Sequence, residues 1–262
     1  MLAAIIAQIS DLHVGTPGER LFGRVDTAAC LRRCVESLMQ LPVRPDALVV
    51  SGDLVNTGSA VEYAFLRELL APLLLPVYLI PGNHDERSAL RAAFGDHAYL
   101  PAQGELCYTV QVKGLRLIML DSVVPGTDGG ALGAHQLEWL ERTLASSPYC
   151  PSVVFVHHPT CETGIPYMDR IALASEDAAR LGALIDRYPI VHRVCCGHVH
   201  RSVLMNWRGT AVAVCPSSAF QYVADPREDA EPVITGEQPA YQLHLWNGAR
   251  LATHTVQVRD AH

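Results

Sequence analysis

The sequence lacks any apolar run long enough to cross a membrane, since a spanning helix needs about 20 consecutive, mostly apolar residues. It also lacks a basic surplus: the net charge is −7 at pH 7 and the pI is about 5.9. Proteins that bind nucleic acid generally need a basic face to displace counterions from phosphates. We therefore expect neither a membrane protein nor a general nucleic-acid binder. No part of the chain is typical of a linker between domains.

None of the eight cysteines lies in a C-x-x-C motif, so neither a structural zinc site nor a disulfide framework is indicated. Cys195 and Cys196 are adjacent in an apolar run, and Cys30 and Cys34 are spaced to share one helix face. Such residues are typically reduced and buried. Met1–Ser10 lacks the basic region of a signal peptide, so we predict a first strand there and a cytoplasmic protein.

Charged residues are scarce, at 18%, whereas hydrophobic residues make up 49% of the 262 residues. This composition can fill a sizeable core, and we expect one domain spanning residues 1–262. Low surface charge also suits a chain that is partly covered by other copies of itself. The polar segment Ser217–Pro239 carries Phe220, Tyr222 and Val233. We expect it to protrude and contribute to a homo-oligomer, at least a dimer; the alternative is a surface loop.

Short apolar runs alternate with segments of helical periodicity, which indicates an α/β fold with mixed sheets. The predicted strands are Leu2–Ile9, Ala47–Val50, Val77–Ile80, Leu106–Val112, Leu115–Leu120, Ser152–Val156, Val191–Cys196, Val203–Trp207, Ala211–Cys215, Tyr241–Trp246 and Arg250–Val258. The predicted helices are Asp26 or Thr27 to about Gln40, Ser59–Leu75, Arg87–Phe94, Gly133–Ser146 and Ser175–Tyr188. Thr160–Ala174 is predicted to be a loop over the site. Turns are expected at Lys113-Gly114 and, of type I′, at Asn247-Gly248.

Side chains that can bind metal ions follow five of these strands. They are Asp11, His13, Asp53, Asn83, His157, His198 and His200. In α/β sheets, ligands bind beyond the carboxyl ends of the strands. A lone carboxylate such as Asp53 is more often a turn or cap residue. Ligands at four other strand ends favour the metal interpretation instead.

Imidazoles combined with carboxylates and an amide suit borderline divalent ions such as Zn, Mn, Co or Fe. Seven ligands are too many for one ion, so we predict two divalent ions that share Asp53. Such a pair lowers the pKa of a water molecule and clamps a phosphoryl oxygen for in-line displacement at phosphorus. His84, next to Asn83, is left without a metal. We expect it to hydrogen-bond a phosphoryl oxygen or protonate the leaving group.

Several polar residues near these motifs keep two interpretations. Asn56 contacts substrate or lies in a turn, and His158 contacts substrate or supports a ligand. Asp85 caps the next helix or orients a neighbour, and Asp121 lies in a turn or supports a ligand. Arginine and lysine are sparse near the motifs, so no phosphate-clamping arginine is evident. Six histidines outside the motifs are expected in the surface or core: His97, His135, His192, His244, His254 and His262.

The motifs D-x-H, G-D, G-N-H-D, H-H and G-H-V-H occur in this order, and with them the sequence resembles the calcineurin-like metallophosphoesterase superfamily. The segments L-F-G-R-V-D, Y-L-I-P-G-N-H-D and C-G-H-V-H are most similar to bacterial class III cyclic nucleotide phosphodiesterases and the glycerophosphodiesterase of that subgroup. The resemblance implies a four-layer α/β/β/α sandwich of two mixed sheets flanked by helices. It implies that Asp11, His13 and His200 hold one metal, that Asn83, His157 and His198 hold the other, that Asp53 bridges and that His84 faces the substrate.

The resemblance further implies hydrolysis of small phosphodiesters, either 3′,5′-cyclic nucleotides such as cAMP or glycerophosphodiesters, by a metal-activated water. The residues expected to contact this substrate are Asn83, His84, His158 and Asn56. Two alternatives remain: a phosphomonoesterase of the same fold, including a protein phosphatase, and a non-catalytic scaffold protein. The complete ligand set disfavours the scaffold.

Overall fold

The computed structural model describes residues 3–259. The strands are β1 (Ala4–Ile9), β2 (Ala47–Ser51), β3 (Val77–Ile80), β4 (Tyr108–Val112), β5 (Leu115–Leu120), β6 (Ser152–Val156), β7 (Val191–Cys196), β8 (Val203–Trp207), β9 (Thr210–Val214), β10 (Ala240–Trp246) and β11 (Leu251–Gln257). The helices are α1 (Thr27–Met39), α2 (Ala60–Leu70), α3 (Arg87–Ala93), α4 (Ala134–Ala145), α5 (Pro166–Asp169) and α6 (Ser175–Arg187). The predicted strand start at Leu2 and His262 lie outside the described residues. None of the helices in residues 3–259 is long and apolar enough to cross a membrane.

The strands form two mixed sheets, as predicted. The first has the order β11-β10-β1-β2-β3, in which β1, β2 and β3 are parallel and β10 is antiparallel to both of its neighbours. The second has the order β4-β5-β6-β7-β9-β8, with parallel strands from β5 to β9 and an antiparallel strand at each edge. The parallel strands therefore end together at one edge of each sheet.

The central strands are apolar on both faces, which explains their short continuous apolar runs. In β1, Ile6 packs with Phe155 in the layer between the two sheets, whereas its neighbour Ala7 packs with Leu31 of α1 on the outer face. Another cluster joins the second sheet to α4 and α6, for example through Leu140. The protein is thus a four-layer α/β/β/α sandwich, as the resemblance implied. The four cysteines of α1 and β7 are buried, as predicted: Cys30, Cys34, Cys195 and Cys196.

Helix α2 begins where predicted but ends five residues early. Ser59 and Glu62 form a capping box at its start, with Ser59 Oγ accepting from the Glu62 N–H at 3.4 Å. The helix ends at Leu70 with Ala71 as its C-cap. Pro72 follows, and its ring removes a helical donor and clashes with the preceding turn. The prediction that the helix reaches Leu75 was wrong because Pro72 was overlooked.

Of the two turn predictions, one is confirmed and the other is wrong. Lys113 and Gly114 both have positive φ, 47° and 82°, which matches a two-residue type I′ turn between β4 and β5. At the last hairpin only Gly248 of the pair has positive φ, and four residues separate Trp246 from Leu251. Asn247 Oδ1 instead accepts the N–H of Arg250 at 2.8 Å, an Asx-type contact. The type I′ prediction there was wrong.

Two loop predictions also need correction. Thr160–Ala174 contains the short helix α5, which begins with a proline at its first position. The beginning of Ser217–Pro239 does not protrude, because residues 217–221 are buried in the chain. The remainder is mostly exposed and is closed by a bridge between Tyr222 and Ile234. Only this later part has the exposure expected of an arm.

Candidate metal centre

The seven predicted ligands all lie just beyond the carboxyl ends of strands that share one edge of the sandwich. The first sheet supplies four of them, from the segments after β1, β2 and β3, and the second supplies three, after β6 and β7. The donor atoms of Asp11, His13, Asp53 and His200 lie within 4.8 Å of one another, as do those of His157, His158 and His198. These are two candidate metal-binding groups.

The backbone at this edge is held in an unusual conformation. Five candidate ligands have left-handed φ values: Asp11 (53°), His13 (44°), Asp53 (50°), His198 (72°) and His200 (52°). Each such residue costs about 1–3 kcal/mol and persists only where surrounding contacts enforce it. Main-chain hydrogen bonds from Asp11 to Gly52 and from His13 to Asp53, both 3.0 Å, provide that enforcement. The strain turns side chains of consecutive loops toward a common centre.

Glycines in the motifs allow the two sheets to approach closely. A Cβ at Gly52 would lie 2.2 Å from His157 Nδ1, and a Cβ at Gly197 would lie 2.0 Å from Ser10 Oγ. Real Cβ atoms essentially never make such contacts. The glycine before Asp53 and the glycine before His198 are therefore structural requirements of the site.

The first group is arranged for a cation. His13 Nε2 lies 3.1 Å from His200 Nε2, and Asp11 Oδ1 lies 3.6 Å from the same nitrogen. His200 Nδ1 donates to the carbonyl of Phe220 at 3.0 Å, so the lone pair of the neutral ring is on Nε2. A main-chain carbonyl that accepts from the second ring nitrogen orients a metal-binding histidine. Nitrogen and carboxylate donors thus converge on one point.

The second group has an unsatisfied buried nitrogen. His198 Nε2 has no hydrogen-bond partner within residues 3–259, and an unpaired buried polar atom is costly. His157 Nδ1 donates to the Ser51 carbonyl at 2.8 Å, so Nε2 is the ring nitrogen that faces the site. That Nε2 lies 3.2 Å from Asn83 Oδ1. A divalent ion would satisfy these atoms, so the residues fit the implied metal.

Asp53 lies between the two groups. Its Oδ1 is 3.4 Å from His157 Nε2, and its Oδ2 is 3.5 Å from His13 Nε2. Burial alone would raise the pKa of this carboxyl, but His157 and then His13 hold it well below its ordinary value. Asp53 is therefore ionised, with one oxygen toward each group.

Burial has the largest effect on the pKa values of four further candidate ligands. It raises the pKa of Asp11 to about 7, and it lowers the pKa of His200 to about 3. Burial also lowers the pKa of His13 and of His198 well below the ordinary value. These three imidazoles are neutral near pH 7, which is the form that binds metal.

His84 differs from its neighbours because its side chain is exposed. Its main-chain N–H donates to Asp53 Oδ1 at 3.0 Å, and its Nδ1 donates to the carbonyl of Asn56 at 2.8 Å. The ring lies edge-on to His13 with centroids 4.6 Å apart. The main-chain carbonyl of half-buried Asn56 thus orients the ring of His84. His84 Nε2 is the ring atom available to a substrate.

The structure favours one of the two predicted roles of His158. The side chain is fully buried, with Nε2 donating to the Asp128 carbonyl at 3.1 Å and Nδ1 accepting from Ser122 Oγ at 2.7 Å. Burial lowers the pKa of the ring to about 3. Because both nitrogens have protein partners, this geometry favours support of the adjacent His157 over contact with substrate.

Asp85 and Asp121 connect neighbouring segments through hydrogen bonds and ion pairs. Asp85 accepts from the Leu54 and Gly82 N–H groups at 3.0 and 2.8 Å and from Tyr63 Oη at 2.8 Å, which ties the ends of β2 and β3 together. It does not cap α3, because Glu86 is the N-cap.

Asp121, at the end of β5, accepts a bidentate contact from Arg87 at 2.6 and 2.8 Å. It also accepts the Leu106 N–H at 2.8 Å. The arginine nearest the G-N-H-D motif in sequence is therefore held in an ion pair with a buried carboxylate.

Three aromatic residues, which we call the aromatic wall, border the first group: Phe22, Phe220 and Tyr222. The rings of Phe220 and Tyr222 lie 4.4 and 4.9 Å from His200. Phe22 packs edge-on against Phe220 at 5.6 Å and is 59% exposed, with φ 54°. No role at the site of its own chain was predicted for this wall.

Sequence reasoning also missed the main-chain carbonyls that fix the ligand tautomers. Those of Ser51 and Phe220 come from residues with no metal-binding side chain. For the carbonyl of Ser51 the available signal was the adjacent Gly52. Glycine allows close backbone approach, as seen for Gly52.

With this geometry, residues 5–202 match the family model of the calcineurin-like phosphoesterases. The chain belongs to this family. It is 33% identical over 257 residues to a probable glycerophosphodiester phosphodiesterase of Arcobacter nitrofigilis, covering 97% of this chain and 93% of that protein. It is 29% identical to the 3′,5′-cyclic adenosine monophosphate phosphodiesterase of Escherichia coli K12, covering 83% and 77% of the two chains. These relatives confirm the predicted family and subgroup.

The fold also matches that of a dimetal phosphatase from Danio rerio, with a TM-score of 0.69, 15% identity, and coverage of 99% of this chain and 100% of that one. At this identity the likeness concerns the fold alone. It confirms the predicted arrangement of two mixed sheets flanked by helices.

Proposed function

We propose that this calcineurin-like phosphoesterase is a dinuclear metal-dependent phosphodiesterase that hydrolyses small phosphodiesters, either 3′,5′-cyclic nucleotides or glycerophosphodiesters. The observation that carries the proposal is the position of Asp53, with one carboxylate oxygen near each of two groups of metal-binding side chains. The two relatives described above are named as a glycerophosphodiester phosphodiesterase and a cAMP phosphodiesterase, and both names support a phosphodiester substrate.

The proposed ligands follow the two groups. Each metal takes its protein ligands from both sheets, and Asp53 is shared. The first set is Asp11, His13 and His200, and the second set is Asn83, His157 and His198. The short distances within each set support the assignment. The ions themselves remain Mn, Fe, Zn or Co, because the donor set suits all of these borderline metals.

Bound divalent ions would polarise the phosphoryl group and lower the pKa of an attacking water. The chain's own contributions are orientation and proton transfer. The His84 N–H fixes one oxygen of Asp53, and the Asn56 carbonyl fixes the His84 ring. Since Nδ1 already donates to this carbonyl, His84 serves the substrate through Nε2. There the doubly protonated ring donates its second N–H to a phosphoryl oxygen, or transfers that proton to the departing alkoxide and becomes neutral.

The surroundings favour a small substrate that carries a flat group. The chain is acidic overall, and Arg87 is occupied by Asp121. An aromatic wall stands beside the first group, and base stacking on such rings is worth about 1–3 kcal/mol. A cyclic nucleotide could use that surface, whereas the glycerol of a glycerophosphodiester has no ring to stack.

A substrate panel tests the proposal. Metal-free protein is reconstituted with Mn, Zn, Co or Fe and assayed on cAMP, glycerophosphocholine, an aryl phosphodiester and the matching monoester. We expect metal-dependent hydrolysis of diesters that exceeds hydrolysis of the monoester. Faster monoester hydrolysis would favour a phosphomonoesterase, and the absence of turnover with every metal would favour a scaffold.

We further propose a cytoplasmic homo-oligomer to which the exposed part of Ser217–Pro239 contributes. Replacing residues 223–233 with a short Gly/Ser linker keeps the buried stretch before Tyr222 and the carbonyl that orients His200. Light scattering on both proteins tests the idea. A monomer in both cases contradicts oligomerisation, and an unchanged oligomer contradicts the role of the arm.

A further inference from the structure

The proposed metal ligands come from two different sheets. Four follow strands of the first sheet, and three follow strands of the second. The layer between the sheets is largely apolar, and apolar burial is non-directional. Apolar packing alone therefore does not specify how far the carboxyl ends of β7 and β9 stand from those of β1 and β2. The donor atoms converge only if that separation is correct.

Two buried glutamines cross this layer at the relevant end. Gln8 of β1 and Gln242 of β10 are register partners in the first sheet, and they are 0% and 2% exposed. Gln8 Nε2 donates to the carbonyl of Cys196 at 3.0 Å, and Gln242 Nε2 donates to the carbonyl of Val214 at 2.9 Å. Cys196 and Val214 are the last residues of β7 and β9.

The contacts of Gln8 reach both halves of the site. Its Nε2 also donates to Ser51 Oγ at 2.8 Å, and the carbonyl of Ser51 accepts from the ligand His157 at 2.8 Å. On the other side, only Gly197 separates Cys196 from the ligand His198. One side chain thus joins the strand that precedes Asp53 to the strand that precedes the H-x-H motif.

The orientation of the Gln8 carboxamide is determined by its other neighbour. Gln8 Oε1 accepts from His244 Nε2 at 2.9 Å. Thr253 Oγ1 donates to the second nitrogen of that ring at 2.9 Å, which fits a neutral imidazole that donates from Nε2. The NH₂ group of Gln8 is therefore the group that faces Cys196 and Ser51.

We propose that Gln8 and Gln242 are positioning residues that hold the carboxyl ends of β7 and β9 against the first sheet. They thereby set the separation between the first-sheet ligands and the histidines of the second sheet. The inference rests on the proposed metal site. Partners that act on metal ligands from outside the coordination shell typically change metal affinity by about 10- to 100-fold.

The competing interpretation is that both glutamines only stabilise the fold. Ile6→Val provides the matched control, because Ile6 lies on the same face of β1, packs in the layer between the sheets and makes no side-chain hydrogen bond. Gln8→Met and Gln242→Met keep side-chain length but remove the cross-sheet donors. Gln242 Oε1 has no partner within residues 3–259, so Gln242→Met removes the bond to Val214 with little other change.

The test is a Mn²⁺ titration of the metal-free proteins, followed by calorimetry and by electron paramagnetic resonance, with thermal unfolding measured in parallel. We expect Gln8→Met to bind Mn²⁺ about 10- to 100-fold more weakly and to alter the spin-coupled signal of the ion pair. Gln242→Met should change both in the same direction and by less. Ile6→Val should lower the unfolding temperature while leaving the Mn²⁺ affinity and the coupled signal unchanged.

Unchanged affinity and an unchanged coupled signal in both glutamine variants would overturn the positioning role, whatever their unfolding temperatures. If Gln8→Met does not fold, the comparison of Mn²⁺ affinity and coupled signal between Gln242→Met and Ile6→Val decides the question. Failure of the wild-type protein to bind two ions would overturn the proposed metal site and this inference with it. The wild-type titration therefore separates the two failures.

Discussion

The main-chain N–H of His198 donates to both carboxylate oxygens of Asp11, at 2.9 and 3.1 Å, although the two residues are 187 positions apart. The pair joins the loop after β7 in the second sheet to the loop after β1 in the first. Asp53 has a similar partner in the His84 N–H. Main-chain donors therefore hold both carboxylates in place. The remaining carboxylate lone pairs are free to face a cation.

Gly197→Ala should disrupt this relationship. The added Cβ would lie 2.0 Å from Ser10 Oγ and 3.0 Å from Asp11 Oδ2, so the loop that carries His198 must shift. We expect loss of most bound metal and of most turnover. Gly236→Ala is the control, because a Cβ at Gly236 would meet nothing within 4 Å. Metal content by mass spectrometry measures the effect, and normal metal content in Gly197→Ala would contradict it.

His84→Ala should retain both metals, because the main-chain N–H that holds Asp53 is kept. Turnover should fall by about 10²- to 10⁴-fold if the ring is a general acid. The deficit should shrink for nitrophenolate leaving groups, which need no proton. Rates on aryl and alkyl diesters measure this. An equal deficit on aryl and alkyl diesters would contradict the general-acid role. His84 would then act by hydrogen bonding to the phosphoryl group.

Phe22→Ala should weaken binding of cyclic nucleotides selectively. Phe22 is the exposed member of the aromatic wall, and loss of a base stack is worth about 1–3 kcal/mol, or roughly 5- to 150-fold in KM. The kcat, the metal content and the KM for glycerophosphocholine should be unchanged. Phe22→Tyr is the control that keeps a ring. A similar rise in KM for both substrates would show that the wall does not recognise a base.

His244 should make stability depend on pH. Burial lowers the pKa of this histidine from 6.5 to about 3, so its contribution is present above pH 6.5 and is lost as the pH falls toward 3. At pH 5 the loss relative to pH 7 is about 2 kcal/mol. Urea unfolding at both pH values should show a smaller loss for His244→Gln, while the exposed His254→Gln keeps the wild-type loss. Equal losses in all three proteins would contradict the account.

Much of the fold and of the site follows from local pattern. Strand β7 was predicted with its exact ends, since the apolar residues Val194, Cys195 and Cys196 lead directly into Gly197. The seven candidate ligands were found because their side chains belong to short motifs at strand ends. The convergence of these ends follows from parallel strands in two facing sheets.

The contributions of distant main-chain groups were not predictable in this way. The carbonyl of Phe220 orients His200, yet the surrounding stretch was predicted to protrude because its polar composition suggested a loop. His158 kept two predicted roles because Ser122 and Asp128, which occupy its nitrogens, lie at least 30 positions away in sequence. Tertiary partners decided these roles. Single-domain organisation, cytoplasmic location and oligomeric state remain predictions.

The central claim is that Asp53 joins two metal ions at a phosphodiesterase site. The most direct measurement is metal content together with diester turnover in Asp53→Ala, compared with wild-type protein and with Asp229→Ala, which replaces an exposed carboxylate. We expect two ions per chain and metal-dependent turnover in wild-type and Asp229→Ala, and loss of most metal and nearly all turnover in Asp53→Ala. Two ions per chain and near-wild-type turnover in Asp53→Ala would contradict the account.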